Sequence, residues 1–120
     1  MKIIKCVKAM NAICELQEEK LPKHFAHRLY IMKTALMPHV EYYTSCELEI
    51  LNDCAVRQED GTYKPIKEKL PEYIARKKEL DDLEIDFEKK PLNVVPDFVI
   101  GKHLEALHEV FNISEDAFKE

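Results

Sequence analysis

From residue 23 to residue 57 the chain repeats apolar side chains at the three- and four-residue steps of one helical face. Phe25, Leu29, Met32, Leu36, Val40 and Tyr43 come first, then Ile50, Leu51 and Cys54. At 1.5 Å per residue such a helix is on the order of 50 Å long, more than the diameter of a small domain. It must project, bend or pack against a partner. Pro38 stands in its middle, where it removes one helical hydrogen bond and crowds the preceding turn, so a kink is expected near residues 34–38. Leu21-Pro22 marks the start, because proline disfavours helical geometry in the residue before it and suits a first turn.

The flanking segments follow from the same rules. Ile3, Val7, Met10 and Cys14, with Ile13 beside them, predict a first helix from about Lys2 to Glu19. Beyond the long helix, Glu59-Asp60-Gly61-Thr62-Tyr63 is a glycine-centred reversal, and Tyr63-Lys64-Pro65 is expected to be extended. Ile66, Leu70, Tyr73, Ile74 and Leu80 then give a third helical stripe over roughly 66–82, secure from Glu72 to Asp82 because Pro71 disturbs its start. The two helices and the tip at 58–65 make a helical hairpin.

Leu83 to Glu88 alternates strictly between apolar and acidic residues, the period of a strand with one face buried. Its nearest partner for a hairpin is 92–95, a second subunit being the alternative. Pro96-Asp97 resembles a helix start, and Ile100, Leu104, Leu107 and Phe111 give a last helix ending near Asn112, with 113–120 as a loose tail. The expected fold is therefore mainly α, a single domain over 1–120. It holds three or four helices, including the hairpin with its kinked long arm, and one short β element at 83–88.

At 120 residues the chain is long enough to hold a core but too short to divide usefully into domains, and two glycines are too few for a glycine-rich phosphate loop. No run approaches the ~20 apolar residues of a membrane span, and the charged start has no signal-peptide core behind it, so a cytosolic location is expected. Cys6, Cys14, Cys46 and Cys54 are then expected to stay reduced. Cys6 and Cys14, like Cys46 and Cys54, are eight residues apart, about 12 Å along a helix, too far to share a metal or a disulfide within it. They read as small core residues.

Net charge is −5, but residues 1–58 carry eight Lys and Arg against seven acids while residues 59–120 carry ten against sixteen. The acids gather in Glu79–Glu88, six carboxylates with no base, which disfavours direct nucleic-acid binding by that face. Spread along one element, Glu84, Asp86 and Glu88 suit the solvated face of an edge strand better than a metal site, or else an imitation of nucleic-acid charge. His24 and His27 are three apart and lack the accompanying glutamate of a zinc-protease motif, and no serine or threonine sits in a glycine-flanked elbow. No catalytic, cofactor or metal residue is therefore assigned. The residues singled out for partner binding are Glu59, Asp60 and Tyr63 at the tip and Asp81, Asp82, Glu84, Asp86 and Glu88 in the acidic stretch.

Four short runs extend these expectations. Glu19-Lys20-Leu21-Pro22 opening a helix, Leu36-Met37-Pro38-His39-Val40-Glu41 inside it, Glu59-Asp60-Gly61-Thr62-Tyr63-Lys64 at the turn and Glu84-Ile85-Asp86-Phe87 follow one another in that order. Over about residues 10–111 the chain resembles a family of unknown function, small proteins of tailed phages and prophages of Gram-positive bacteria. That resemblance implies a phage origin and a helical frame with a short strand, and carries no site residues. The expected function is a non-enzymatic interaction protein of virion assembly, in the host cytoplasm or with the particle. The alternatives are an inhibitor of a host defence or nucleic-acid-binding protein acting through the acids, and a prefoldin-like chaperone. A homo-oligomer is also expected, since the long apolar stripe exceeds what one short partner helix covers.

Overall fold

The computed structural model describes residues 1–118. Its elements are α1 (Ile3–Leu16), α2 (Lys23–Cys54), β1 (Ala55–Arg57), β2 (Tyr63–Pro65), α3 (Leu70–Asp81), β3 (Lys90–Leu92), α4 (Gly101–Val110) and β4 (Phe111–Ile113). Short 3₁₀ turns at Lys67–Lys69 and Glu115–Phe118 lead into α3 and follow β4. The mainly helical fold with a short β component is the one the periodicity predicts.

α2 rises about 48 Å over its 32 residues, which is most of the molecule's 56 Å long dimension. It is helical without interruption across Pro38. Against it lie two shorter partners, each covering one half. α1 returns along the first half, where Lys33 reaches Gln17 at 3.1 Å. α3 returns along the second, with Tyr43 facing Asp81 and Asp53 facing Arg76. α4 packs antiparallel on α1, pairing Lys5 with Glu109 and Glu15 with His103.

The apolar faces divide into two cores. The larger joins Cys6, Met10 and Ile13 of α1, Phe25, Leu29, Met32 and Leu36 of α2, Leu92, Val95 and Val99, and Leu107, Val110 and Phe111. Ile3, Tyr43, Ile50, Cys54 and Leu80 form the smaller one between α2 and α3. Phe25, Leu29, Met32 and Leu36 are each fully buried, so the period-3.6 stripe of the sequence is the packed face.

Four expectations are corrected. The segment 83–88 does not form a hairpin with 92–95 but runs antiparallel beside the first residues of the chain, bridging Glu84 to Lys2. The Ile3 amide donates to the Leu83 carbonyl at 2.8 Å and the Ile85 amide to the Met1 carbonyl at 2.8 Å. The first amides of a helix lack partners inside it, and α1 has no capping side chain, so Leu83 supplies what α1 needs. The alternation still holds in part: Ile85 and Phe87 pack against the core while Glu84, Asp86 and Glu88 face solvent.

The long helix stops at Cys54, not at residue 57, because Ala55–Arg57 pairs antiparallel with Tyr63–Pro65. The last helix begins at Gly101 and not at Pro96-Asp97, since Val95 and Val99 are both drawn into the core from a non-helical stretch. The tail expected to be loose is docked up to its 3₁₀ turn. Phe111–Ile113 pairs in parallel with Lys90–Leu92, and the Val95 amide donates to the carbonyl of buried Ala117 at 3.1 Å. The last two residues of that tail lie outside the described residues.

Candidate functional site

The tip is built by local chemistry. The Asp60 carboxylate accepts from the Thr62 amide at 3.0 Å and the Thr62 hydroxyl at 2.6 Å, which holds its carboxyl below the usual range. Gly61 follows at φ 87°, a conformation costly for any residue with a Cβ. The Gln58 amide then donates to the Thr62 carbonyl at 2.7 Å, closing the β1–β2 ribbon. Residues 56–62 are all exposed, Val56 by 57%. Tyr63 is half-buried and its hydroxyl donates to Asn52 Oδ1 at 3.0 Å, fastening the ribbon to the end of α2.

The acidic stretch is divided between structure and solvent. Asp81 accepts from the Tyr43 hydroxyl at 2.6 Å and lies 3.6 Å from Lys77. Asp82 pairs with Lys2 at 3.2 Å, and Glu84 with the α-ammonium of Met1 at 2.9 Å. Among the described residues Asp86 and Glu88 are exposed and make no ion pair. Nor are tip and acids brought together. The 12 residues of α3 separate them by about 18 Å.

Sequence reasoning misses the polar cluster that joins the hairpin arms. Lys77 donates to both Glu47 and Tyr43 while the Tyr43 hydroxyl donates onward to Asp81. Burial favours the neutral amine, but Glu47 and Tyr43 more than offset it, so Lys77 holds its proton above the ordinary lysine range. Burial and Asp81 push Tyr43 upward too, against Lys77. Lys77 and Asp81, four apart on α3, are the one part of this cluster visible in sequence.

Two clefts accompany the helix pairs. Between α1 and α4 a cleft of about 360 Å³ is lined by Lys5, Lys8, Glu15, Lys102, His103 and Glu109 among others. There His103 Nε2 lies 2.6 Å from Glu15 Oε2, and this contact, with Lys102 beside it, lowers the Glu15 carboxyl. A second, of about 250 Å³, lies between α2 and α3 around Tyr42, Cys46, Arg76 and Leu83. All four cysteines are free thiols: Cys6 and Cys54 buried, Cys46 half-buried and Cys14 exposed, so Cys14 departs from the expected core placement. Among the described residues no group of three or more His, Cys, Asp or Glu gathers to hold a metal, and His24 and His27 meet no third ligand. No described helix is long and apolar enough to cross a membrane.

These features define a helical-hairpin protein whose long arm ends in a small exposed ribbon. No protein family, curated protein or solved structure matches the chain.

Proposed function

We propose that this chain is a non-enzymatic protein-binding module of a tailed phage, acting in virion assembly through the ribbon at 58–65. The observation that carries the proposal is the position of that ribbon. It is attached at the end of a helix nearly as long as the molecule, beyond both cores, and is exposed from Val56 to Thr62. Its backbone is held by Asp60, Gly61 and Tyr63, so a partner would meet a shaped surface with little ordering cost. The resemblance to tailed-phage proteins supplies the setting.

Inhibition of a host protein by the acidic stretch has less support. Asp81, Asp82 and Glu84 already neutralise cations of the chain itself, leaving Glu79, Asp86 and Glu88 as the carboxylates of the stretch with no ion pair among the described residues. Co-sedimentation with capsid or tail precursors, made with the native chain and with one whose residues 58–62 are replaced by glycine and serine, tests the assembly role. The native chain is expected in precursor fractions and the replaced one is not. Absence of the native chain from every precursor, together with unchanged particle yield on its deletion, overturns the proposal.

A further inference from the structure

The ribbon at the end of α2 has a backbone edge left over. Its strands pair antiparallel with Ala55 opposite Pro65, Val56 opposite Lys64 and Arg57 opposite Tyr63. In such a ladder hydrogen-bonded and non-bonded pairs alternate along the strands. The Gln58 amide donates to the Thr62 carbonyl at 2.7 Å and the Ile66 amide to the Cys54 carbonyl at 3.0 Å, so the bonded pairs are the even-numbered ones. Arg57 therefore turns both its N–H and its C=O outward, and the Ala55 carbonyl points the same way. The Ala55 amide already donates to the Leu51 carbonyl.

The two edges of the ribbon are unequal. On β2, Pro65 has no N–H and its ring stands where a donor would be, which discourages addition of a strand on that side. β1 carries no such guard. Its Val56 is exposed on one face, and on the other Arg57 is exposed and makes no ion pair among the described residues.

We propose that the β1 edge takes an extended segment of the partner as a third strand, one that alternates acidic residues beside Arg57 with apolar residues beside Val56. The inference rests on the reading of the ribbon as a partner-binding surface and names the chemistry of that partner. Main-chain bonds to Arg57 hold the added strand, while Val56 and the Arg57 guanidinium select its side chains. A second copy of the chain suits this edge less well, because two β1 strands paired about Arg57 set like charges opposite each other.

The probe is a capped seven-residue peptide alternating glutamate with valine, added to the isotope-labelled full chain and followed by amide exchange in NMR. Exchange of the Arg57 amide is expected to slow on binding while that of Tyr63, on the other edge, is unchanged. Arg57→Ala removes the charge and keeps the amide, whereas Arg57→Pro removes both. The proline variant should bind at least about fivefold more weakly than the alanine variant, the loss of about one hydrogen bond. Protected Gln58 and Ile66 amides would show its ribbon intact, and should the ribbon be lost, exchange at Arg57 in the native chain decides alone. A peptide with lysine in place of glutamate should bind more weakly to the native chain.

No binding of the glutamate peptide at millimolar concentration overturns the proposal. So does an Arg57 amide that exchanges as fast with the peptide as without it, a proline variant with an intact ribbon that binds as well as the alanine variant, or equal binding of the lysine peptide. Protection of Arg57 in the concentrated chain alone would assign the edge to a second copy and overturn it too. Peptide binding by a chain absent from every precursor would keep the edge and remove the assembly role; co-sedimentation of a chain that binds no peptide would do the reverse.

Discussion

Tyr43 and Asp81 are thirty-eight residues apart and meet across the two arms of the hairpin, the tyrosine hydroxyl donating to Oδ1 at 2.6 Å. Lys77 donates to the same hydroxyl, so one oxygen serves as donor and acceptor at once. Tyr43→Phe keeps the packed ring and removes both bonds. It should lower stability by about 1–2 kcal/mol in urea unfolding. An unchanged midpoint would show that the cluster contributes nothing to joining the arms.

Cys6 gives the fold an alkaline limit. Its side chain is fully buried against α2 and α4, and burial pushes the thiol from 9.0 up to about 11. The unfolded thiol ionises first, so stability held in full below pH 9 should fall as pH rises through about 11. The native chain should lose stability over this range faster than Cys6→Ala, by up to one proton's worth of slope. Parallel curves for the two proteins in pH-dependent urea melts would contradict the assignment.

At the acid end, Glu15 has the opposite sign. Its contact with His103, and then Lys102, lowers the carboxyl from 4.5, so the stabilisation is present above pH 4.5 and disappears as pH falls through the lowered value. Glu15→Gln should flatten the acid limb of thermal stability and leave the alkaline limb untouched. The size should be small, since the carboxylate is exposed to solvent.

Gly61 can be separated from its surroundings. A Cβ built there meets nothing within 4 Å, yet φ is 87°, so Gly61→Ala should cost about 1 kcal/mol from backbone conformation alone. Gly61→Asn should cost less, because asparagine tolerates positive φ better. Equal losses for the two, measured by thermal melts, would point to a steric cause.

Docking of the C-terminal segment is testable at Ala117, which is 4% exposed and belongs to the larger core. Ala117→Glu forces a charge into that site or expels the segment, and should cost about 3 kcal/mol or more. Limited proteolysis should then cut between Leu92 and Ala117 at a rate well above that of the native chain. An equally resistant variant would mean that the segment does not depend on this contact.

Much of the frame is legible in the sequence because it is local. The stripe from Phe25 to Leu36 predicts its own burial, Pro22 places the start of α2, and Gly61 places the reversal. What escapes is pairing between distant segments. Nothing within Leu83–Glu88 says that its neighbour is Lys2, because that neighbour is fixed by how α1 packs on α2 and α4. Pro96-Asp97 reads as a helix start, yet Val99 just beyond it reaches the core from a non-helical stretch: a local start signal does not fix the conformation that follows it. At the candidate site, Asp60 and Tyr63 are identified as tip residues but not their bonds. Asp81, Asp82 and Glu84 are singled out for a partner without the cations they meet in the fold, Lys77 of α3, Lys2 and the α-ammonium of Met1.

The bridge between Lys2 and Glu84 orders events during synthesis. α1 finds its cap only when residue 83 has left the ribosome, and its helical neighbour α4 only after residue 110. The α2–α3 hairpin, by contrast, is bonded across its arms by side chains between residues 43 and 81. The nascent chain can therefore pair α1 with the first half of α2, and the second half of α2 with α3, while Cys6, Met10 and Ile13 still lack Leu107, Val110 and Phe111. Docking of α4 on α1 is the late step, and it completes the larger core by bringing together the two ends of the sequence.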